Sequence, residues 1–228
     1  MVKGLPISWK RKLFTGSLFF HRLFARMMEH EIYVFPKYAY NVSSYEVRGA
    51  VLELMSNEIK RYNVEGSAAE LGVYRGDFAK RINYFLPERK LYLFDTFEGF
   101  DAKDSEADRA GNFSSGTQDF SQTSEELVLS KMVHPENCIV RKGWFPETAE
   151  GVDDKFCFVS IDADLYQPIL AELEFFYPRL NHGGAIMIHD FNFEGYGGVR
   201  QAVREFCGRN NIGYVCIPDS YGSAVIVK

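Results

Sequence analysis

Cysteine is sparse and unpaired in this sequence: Cys138, Cys157, Cys207 and Cys216 are scattered, with no CxxC spacing among them. This disfavours a disulfide framework, and with no secretory n-region, apolar h-region and cleavage site at the start, the expected location is the cytoplasm. The four are read as reduced, small buried hydrophobes. No apolar run is long enough to span a bilayer, which excludes integral membrane association. Positive charge is not in excess either. With 26 Lys and Arg against 31 Asp and Glu the formal net charge is -5, which argues against a nucleic-acid binder, whose affinity comes from phosphate neutralisation by a basic face. No internal repeat is visible.

What remains is a chain of 228 residues, 46% hydrophobic and 25% charged, long enough to bury a full core in one globular domain with an appendage. The appendage is residues 1–48, where Trp9, Phe14, Phe19, Phe20, Leu23, Phe24 and Met27 interleave with Lys10, Arg11, Lys12, Arg22 and Arg26. This reads as an amphipathic basic helical extension that covers a neighbouring domain or subunit, with an anionic membrane surface as the second reading. Residues 49–228 form the main domain. Ser43-Ser-Tyr-Glu46 is a capping box that opens a helix through Lys60, with Val47, Val51, Leu54 and Ile59 roughly on one side.

Apolar strand patterns at 66–71, 90–95, 138–142, 156–162 and 185–189 alternate with helical patterns at 78–85, 124–132, 168–177 and 198–209. Such alternation predicts an α/β fold with a mostly parallel sheet covered on both faces. Two short β patterns, 214–217 and 224–227, flank Pro218-Asp-Ser-Tyr-Gly222 and read as a C-terminal antiparallel hairpin at one sheet edge. The stretch 100–122 shows no periodicity and is expected to be a lid over the ligand crevice.

Three motifs carry chemistry. In Glu70-Leu-Gly-Val-Tyr-Arg-Gly76, glycines at 72 and 76 allow a tight turn beneath a ligand. About 20 residues on, Leu91-Tyr-Leu-Phe-Asp95 ends an apolar strand on an acid placed to accept ribose hydroxyls, or else to cap the next helix. The GxGxxG spacing of dinucleotide folds is absent, which favours S-adenosyl-L-methionine over NAD. The second motif, Phe158-Val-Ser-Ile-Asp-Ala-Asp-Leu-Tyr166, delivers Asp162 and Asp164 to a strand end, where carboxylates hold hard divalent cations. Asp162 is the stronger candidate; Asp164 reads equally as a helix cap. The third, Gly183-Gly-Ala-Ile-Met-Ile-His-Asp190, ends in His189, a candidate proton acceptor, and Asp190, a candidate metal ligand beside Asp162. Trp144 and Tyr166 are weaker, crevice-lining candidates.

Together with Phe94-Asp-Thr-Phe-Glu-Gly99, Gly143-Trp-Phe-Pro-Glu-Thr148 and Tyr177-Pro-Arg-Leu180, these blocks resemble the macrocin and mycinamicin sugar O-methyltransferase family over roughly residues 40–210. The resemblance implies a Rossmann-like class I methyltransferase, often a homodimer, that methylates a sugar hydroxyl with help from a divalent cation. It implies that the cofactor lies against Gly72–Gly76 and Asp95–Gly99. The candidate cofactor contacts are therefore Glu70, Gly72, Val73, Tyr74, Gly76, Asp95, Thr96, Phe97 and Gly99, with Ser43, Ser44, Asp162 and Ala163 beside them. The implied metal site is Asp162 with an Asp-Asp pair, and here His189 stands in the place of the first Asp. Imidazole is a poor Mg²⁺ ligand and turns preference toward Mn²⁺; without a metal, His189 serves as the base. The expected acceptor is a glycoside or sugar nucleotide. An NAD(P)-linked Rossmann oxidoreductase and a non-catalytic cofactor- or sugar-binding module are the alternatives.

Overall fold

Strands buried on both faces need no alternation, and the central ones here are buried along their length and mostly apolar, with Glu70 and Ser160 as buried polar interruptions. The computed structural model describes residues 44–228, and Ser43–Lys228 forms one compact unit. The readings made for residues 1–43, including the aromatic basic extension and Ser43, lie outside the described residues. The strands are β1 (Ser67–Leu71), β2 (Leu91–Asp95), β3 (Cys138–Lys142), β4 (Phe156–Ile161), β5 (Leu180–Ile188), β6 (Val215–Ile217) and β7 (Ser223–Val227). They form one sheet in the order β3-β2-β1-β4-β5-β7-β6. The first five are parallel, with Leu71 level with Phe94 on one side and Ile161 on the other. β7 runs antiparallel between β5 and β6, pairing Ile226 with Ile186. The expected parallel sheet with its reversed C-terminal hairpin is therefore present.

The helices are α1 (Ser44–Arg61), α2 (Asp77–Phe85), α3 (Ala102–Ala110), α4 (Glu125–Lys131), α5 (Tyr166–Phe176) and α6 (Gly197–Asn210). One core layer joins Leu52, Ile59, Ala79, Ile82 and Val128 of α1, α2 and α4 to one face of the sheet. The other joins Ile169, Leu173, Phe176, Val199, Val203 and Phe206 of α5 and α6 to the opposite face. No helix among the described residues is long and apolar enough to cross a membrane.

Several expectations are corrected. On α1 the buried apolar residues are Leu52 and Ile59, while Leu54 is 66% exposed. β5 begins at Leu180, five residues before the expected start: Phe156 pairs with Leu180 and Phe158 with Ala185, so a bulge hides the strand behind Gly183 (φ 82). The stretch 100–122 is not structureless. It contains α3, capped by the Asp101 carboxylate accepting from the Lys103 N–H. The face that α3 buries is Asp104, Ser105 and Asp108, all polar, so no apolar period betrays it. Asp108 accepts from the Tyr166 N–H and the Ser114 hydroxyl, and it is this carboxylate, not Asp164, that caps α5. Cys157 and Cys207 are buried and Cys138 half-buried, but Cys216 is exposed on the edge strand. Burial pushes the Cys138 and Cys157 thiols up to about 11, which leaves them inert at neutral pH.

Candidate active site

The site forms where β1, β2, β4 and β5 end side by side. β1 and β4 meet so closely after Leu71 that a Cβ on Gly72 would lie 2.1 Å from the Asp162 carbonyl oxygen. Glycine is thus required at 72 by chain packing as well as by its φ of 74. The turn then passes through Tyr74 at φ 47 and Gly76 at φ 75 into α2.

Asp95 holds this turn. Its Oδ2 accepts from the Tyr74 N–H at 2.7 Å and its Oδ1 from the Phe97 N–H at 2.6 Å. Burial raises its pKa, while these backbone donors pull it down. It does not cap a helix; it bridges two turns that each contain a non-glycine residue at positive φ. Thr123 adds a hydroxyl donor to the Tyr74 carbonyl, and Phe120 meets the Tyr74 ring edge-on at 5.4 Å. The end of the 100–122 stretch therefore forms part of the crevice wall.

At the ends of β4 and β5, charge is concentrated. Arg48, one turn into α1 and 9% exposed, donates from one guanidinium nitrogen to Asp162 Oδ2 at 2.8 Å and from another to Ser160 Oγ at 2.9 Å. Its guanidinium lies 3.8 Å from the Phe78 ring centre. His189 Nδ1 stands 3.1 Å from Asp162 Oδ1 and 3.2 Å from Asp190 Oδ1. Burial alone would raise the Asp162 pKa, but Arg48 and His189 together hold it well below the usual carboxylate range. For His189, burial opposes the charged form, and the neighbouring Asp162 and Asp190 override it, pushing the imidazole up to about 9. Asp164 is buried at φ 62; burial and the facing Asp190 carboxyl raise its pKa well above the carboxylate range.

A cavity of about 450 Å³ joins these parts. Of the sequence candidates, Gly72, Tyr74, Asp95, Thr96, Gly99, Asp162, Ala163, His189, Asp190 and Trp144 line it. Glu70, Val73, Gly76 and Phe97 lie behind the lining, and Ser44 starts α1. Gly76 faces α4, where an added Cβ would sit 3.0 Å from Val128 Cγ1. The Tyr166 hydroxyl is turned away from the cavity, donating to Glu205 at 2.6 Å. Sequence reasoning missed Arg48, Asp104 and Glu172 and underrated Asp164. Arg48, on an otherwise amphipathic helix, carries no local sign of an acidic partner 114 residues away.

Replacing Asp95 by alanine is expected to weaken binding of S-adenosylhomocysteine roughly tenfold to a hundredfold, the range of one or two lost charge-assisted hydrogen bonds. Calorimetry on folded Asp95→Ala protein checks this; an unchanged dissociation constant would overturn the expectation that Asp95 contacts the cofactor.

Residues 29–217 match the macrocin-O-methyltransferase (TylF) family. A curated relative is the 8-demethyl-8-(2,3-dimethoxy-alpha-L-rhamnosyl)-tetracenomycin-C 4'-O-methyltransferase of Streptomyces olivaceus, 27% identical over 161 residues. That match spans 65% of this chain and 60% of the relative's length. Among solved structures, the calicheamicin methyltransferase CalS11 superposes with a TM-score of 0.66 at 19% identity, covering 82% of this chain and 81% of that one. The O-methyltransferase NovP does so with a TM-score of 0.63 at 21% identity, covering 80% and 79%. These likenesses show the class I methyltransferase fold already traced in the strand order. The chain belongs to the macrocin-O-methyltransferase family.

Proposed function

We propose that this chain transfers the methyl group of S-adenosyl-L-methionine to a hydroxyl of a sugar residue in a glycoside or sugar nucleotide. The observation that carries this reading is the continuity of one cavity from the Gly72 turn and Asp95 to Asp162, His189 and Asp190. The cofactor supplies an electrophilic methyl on a sulfonium, and its positive charge is lost on transfer. The Gly72–Gly76 turn and Asp95 bind and orient it. Asp162, His189 and Asp190 face the hydroxyl and hold it in line, and the Asp162 carboxylate takes its proton as the oxygen–carbon bond forms, since a neutral hydroxyl is a weak nucleophile.

Beside His189 the wall is aromatic. Phe193 lies 4.7 Å from Tyr221 and 5.4 Å from Tyr196, ring centre to ring centre. Aromatic faces pack against the C–H face of a sugar ring and leave its hydroxyls to the carboxyls. The relative from Streptomyces olivaceus is named for a rhamnosyl acceptor and CalS11 for TDP-rhamnose, which supports a deoxysugar of that kind.

A divalent cation belongs to the same reading. One donor atom from each of Asp162, His189 and Asp190 lies within 4.8 Å of the other two, and neighbouring ligands of an octahedral ion stand about 3 Å apart. The donor set therefore fits such an ion, and two carboxylates with an imidazole suit Mn²⁺ better than Mg²⁺. Bound there, the ion would lower the pKa of a coordinated hydroxyl. Arg48 and the His189 imidazolium supply positive charge to the same carboxylates, and on Nδ1 a proton and a metal exclude each other.

Methyl transfer to rhamnose-bearing glycosides and to nucleotide-linked rhamnose, followed by mass spectrometry with and without chelator, tests the reading. Transfer should occur, fall on chelation and return with Mn²⁺ at least as well as with Mg²⁺, and His189→Asp should turn the preference toward Mg²⁺. Full activity after exhaustive chelation would leave Arg48 and His189 as the counter-charges among the described residues. No transfer to any hydroxyl acceptor by protein that binds S-adenosylhomocysteine would favour a binding module. A cytoplasmic homodimer completes the proposal, and sedimentation equilibrium of the full chain checks the dimer.

A further inference from the structure

One buried group has no part in the chemistry above. Glu172 lies on α5, is 2% exposed and lines the cavity, yet its Oε2 has no hydrogen-bond partner among the described residues. Leaving a buried carboxyl unpaired is costly, and a lining position offers a ligand as the missing partner. Nearby, Asp104 is 7% exposed and its Oδ2 accepts from the Trp144 indole N–H at 2.8 Å. Phe94, Phe145, Leu165 and Pro168 line the cavity beside these polar groups. This part of the cavity therefore combines apolar lining with the polar groups of Glu172, Asp104 and Trp144.

The order of the strands says which part of a ligand reaches this region. Asp95, at the end of β2, is placed for the ribose, and the proton-handling group is at the ends of β4 and β5. β1 lies between them, and β3 lies on the far side of β2. A sulfonium directed toward Asp162 therefore directs the base the other way, past β2 toward Trp144, which follows β3.

Resting on the cofactor reading given above, we propose that Glu172 recognises the 6-aminopurine of the cofactor. Its carbonyl oxygen accepts from the 6-amino N–H, and its acid O–H donates to the adjacent ring nitrogen. A carboxylic acid presents one donor and one acceptor side by side, and the amino edge of adenine presents the complementary pair. Burial, reinforced by Asp104 and Asp162, raises the Glu172 pKa well above the carboxylate range, which favours the acid form that this pairing uses. Trp144, anchored by Asp104, supplies a face for the purine.

Calorimetry with S-adenosylhomocysteine and with its purine-riboside analogue, which lacks the 6-amino group, tests this on wild type, Glu172→Gln and Glu172→Leu. Wild type should bind the analogue roughly tenfold more weakly. Glu172→Leu should bind both compounds alike, with S-adenosylhomocysteine weakened roughly tenfold to a hundredfold. Glu172→Gln, which keeps a donor and an acceptor, should stay close to wild type. Equal losses in the glutamine and leucine variants would overturn the proposal. So would wild type that binds both compounds equally well, a result that requires no variant to fold. A Glu172→Leu enzyme that keeps its cofactor affinity and raises only the acceptor KM would place a sugar in this region instead. If wild type binds neither compound, the cofactor reading itself fails, and this inference with it.

Discussion

Asp162→Asn is expected to lower kcat by about 10²- to 10⁴-fold, the usual contribution of a positioned proton acceptor. The carboxylate occupies the only position in the cluster that touches both Arg48 and His189. Asparagine preserves the shape, but it removes the charge and turns an amide N–H₂ toward either the guanidinium or imidazole Nδ1. Both neighbours already donate, so the new contact is donor against donor. Single-turnover rates with saturating cofactor, paired with calorimetry, check this. The rate should fall far more than the affinity for S-adenosylhomocysteine. A loss of cofactor affinity as large as the loss of rate would make Asp162 a cofactor contact, and an unchanged rate would remove it from the chemistry.

Arg48→Met is expected to destabilise the protein by about 3 to 5 kcal/mol, the cost of removing one partner from a buried ion pair. The guanidinium is 10% exposed, and it lowers the pKa of Glu70 as well as that of Asp162. Without it, two acidic groups stand buried, and among the described residues His189 is the counter-charge left to Asp162. Arg48→Lys should recover a minor part: a point charge cannot reach Asp162 Oδ2 and Ser160 Oγ together, nor stack flat on Phe78. Urea unfolding of Arg48→Met alone and in the Asp162→Asn background measures the coupling. The cost should shrink markedly in the double variant. Equal costs in both backgrounds would show that packing on Phe78, not the ion pair, is what Arg48 contributes.

These two residues mark the boundary of what a linear reading reaches. Asp162 and His189 were legible because each ends an apolar run, and apolar runs in an alternating α/β chain become parallel strands whose C-terminal ends converge. Gly72 and Asp95 were legible for the same reason, by position and not by contact. The sequence had no means of showing that the Asp95 carboxylate would be engaged by two backbone N–H groups. Nor did it show that Gly72 is required by the Asp162 carbonyl, since both facts depend on how closely neighbouring strands end.

By itself, the sequence determined the strand and helix periods, the reversed hairpin and the blocks that mark the family, because all of these are local patterns or ordered sets of them. Only the tertiary structure decided which charges meet. Arg48 reaches Asp162 across 114 residues of chain, Asp164 swings into the cavity because its backbone turns at φ 62, and α3 was hidden because it buries Asp104, Ser105 and Asp108. Hydrophobic burial follows a period that can be counted along the chain, whereas the pairing of buried polar groups depends on distances between elements, and those distances exist only once the sheet has closed.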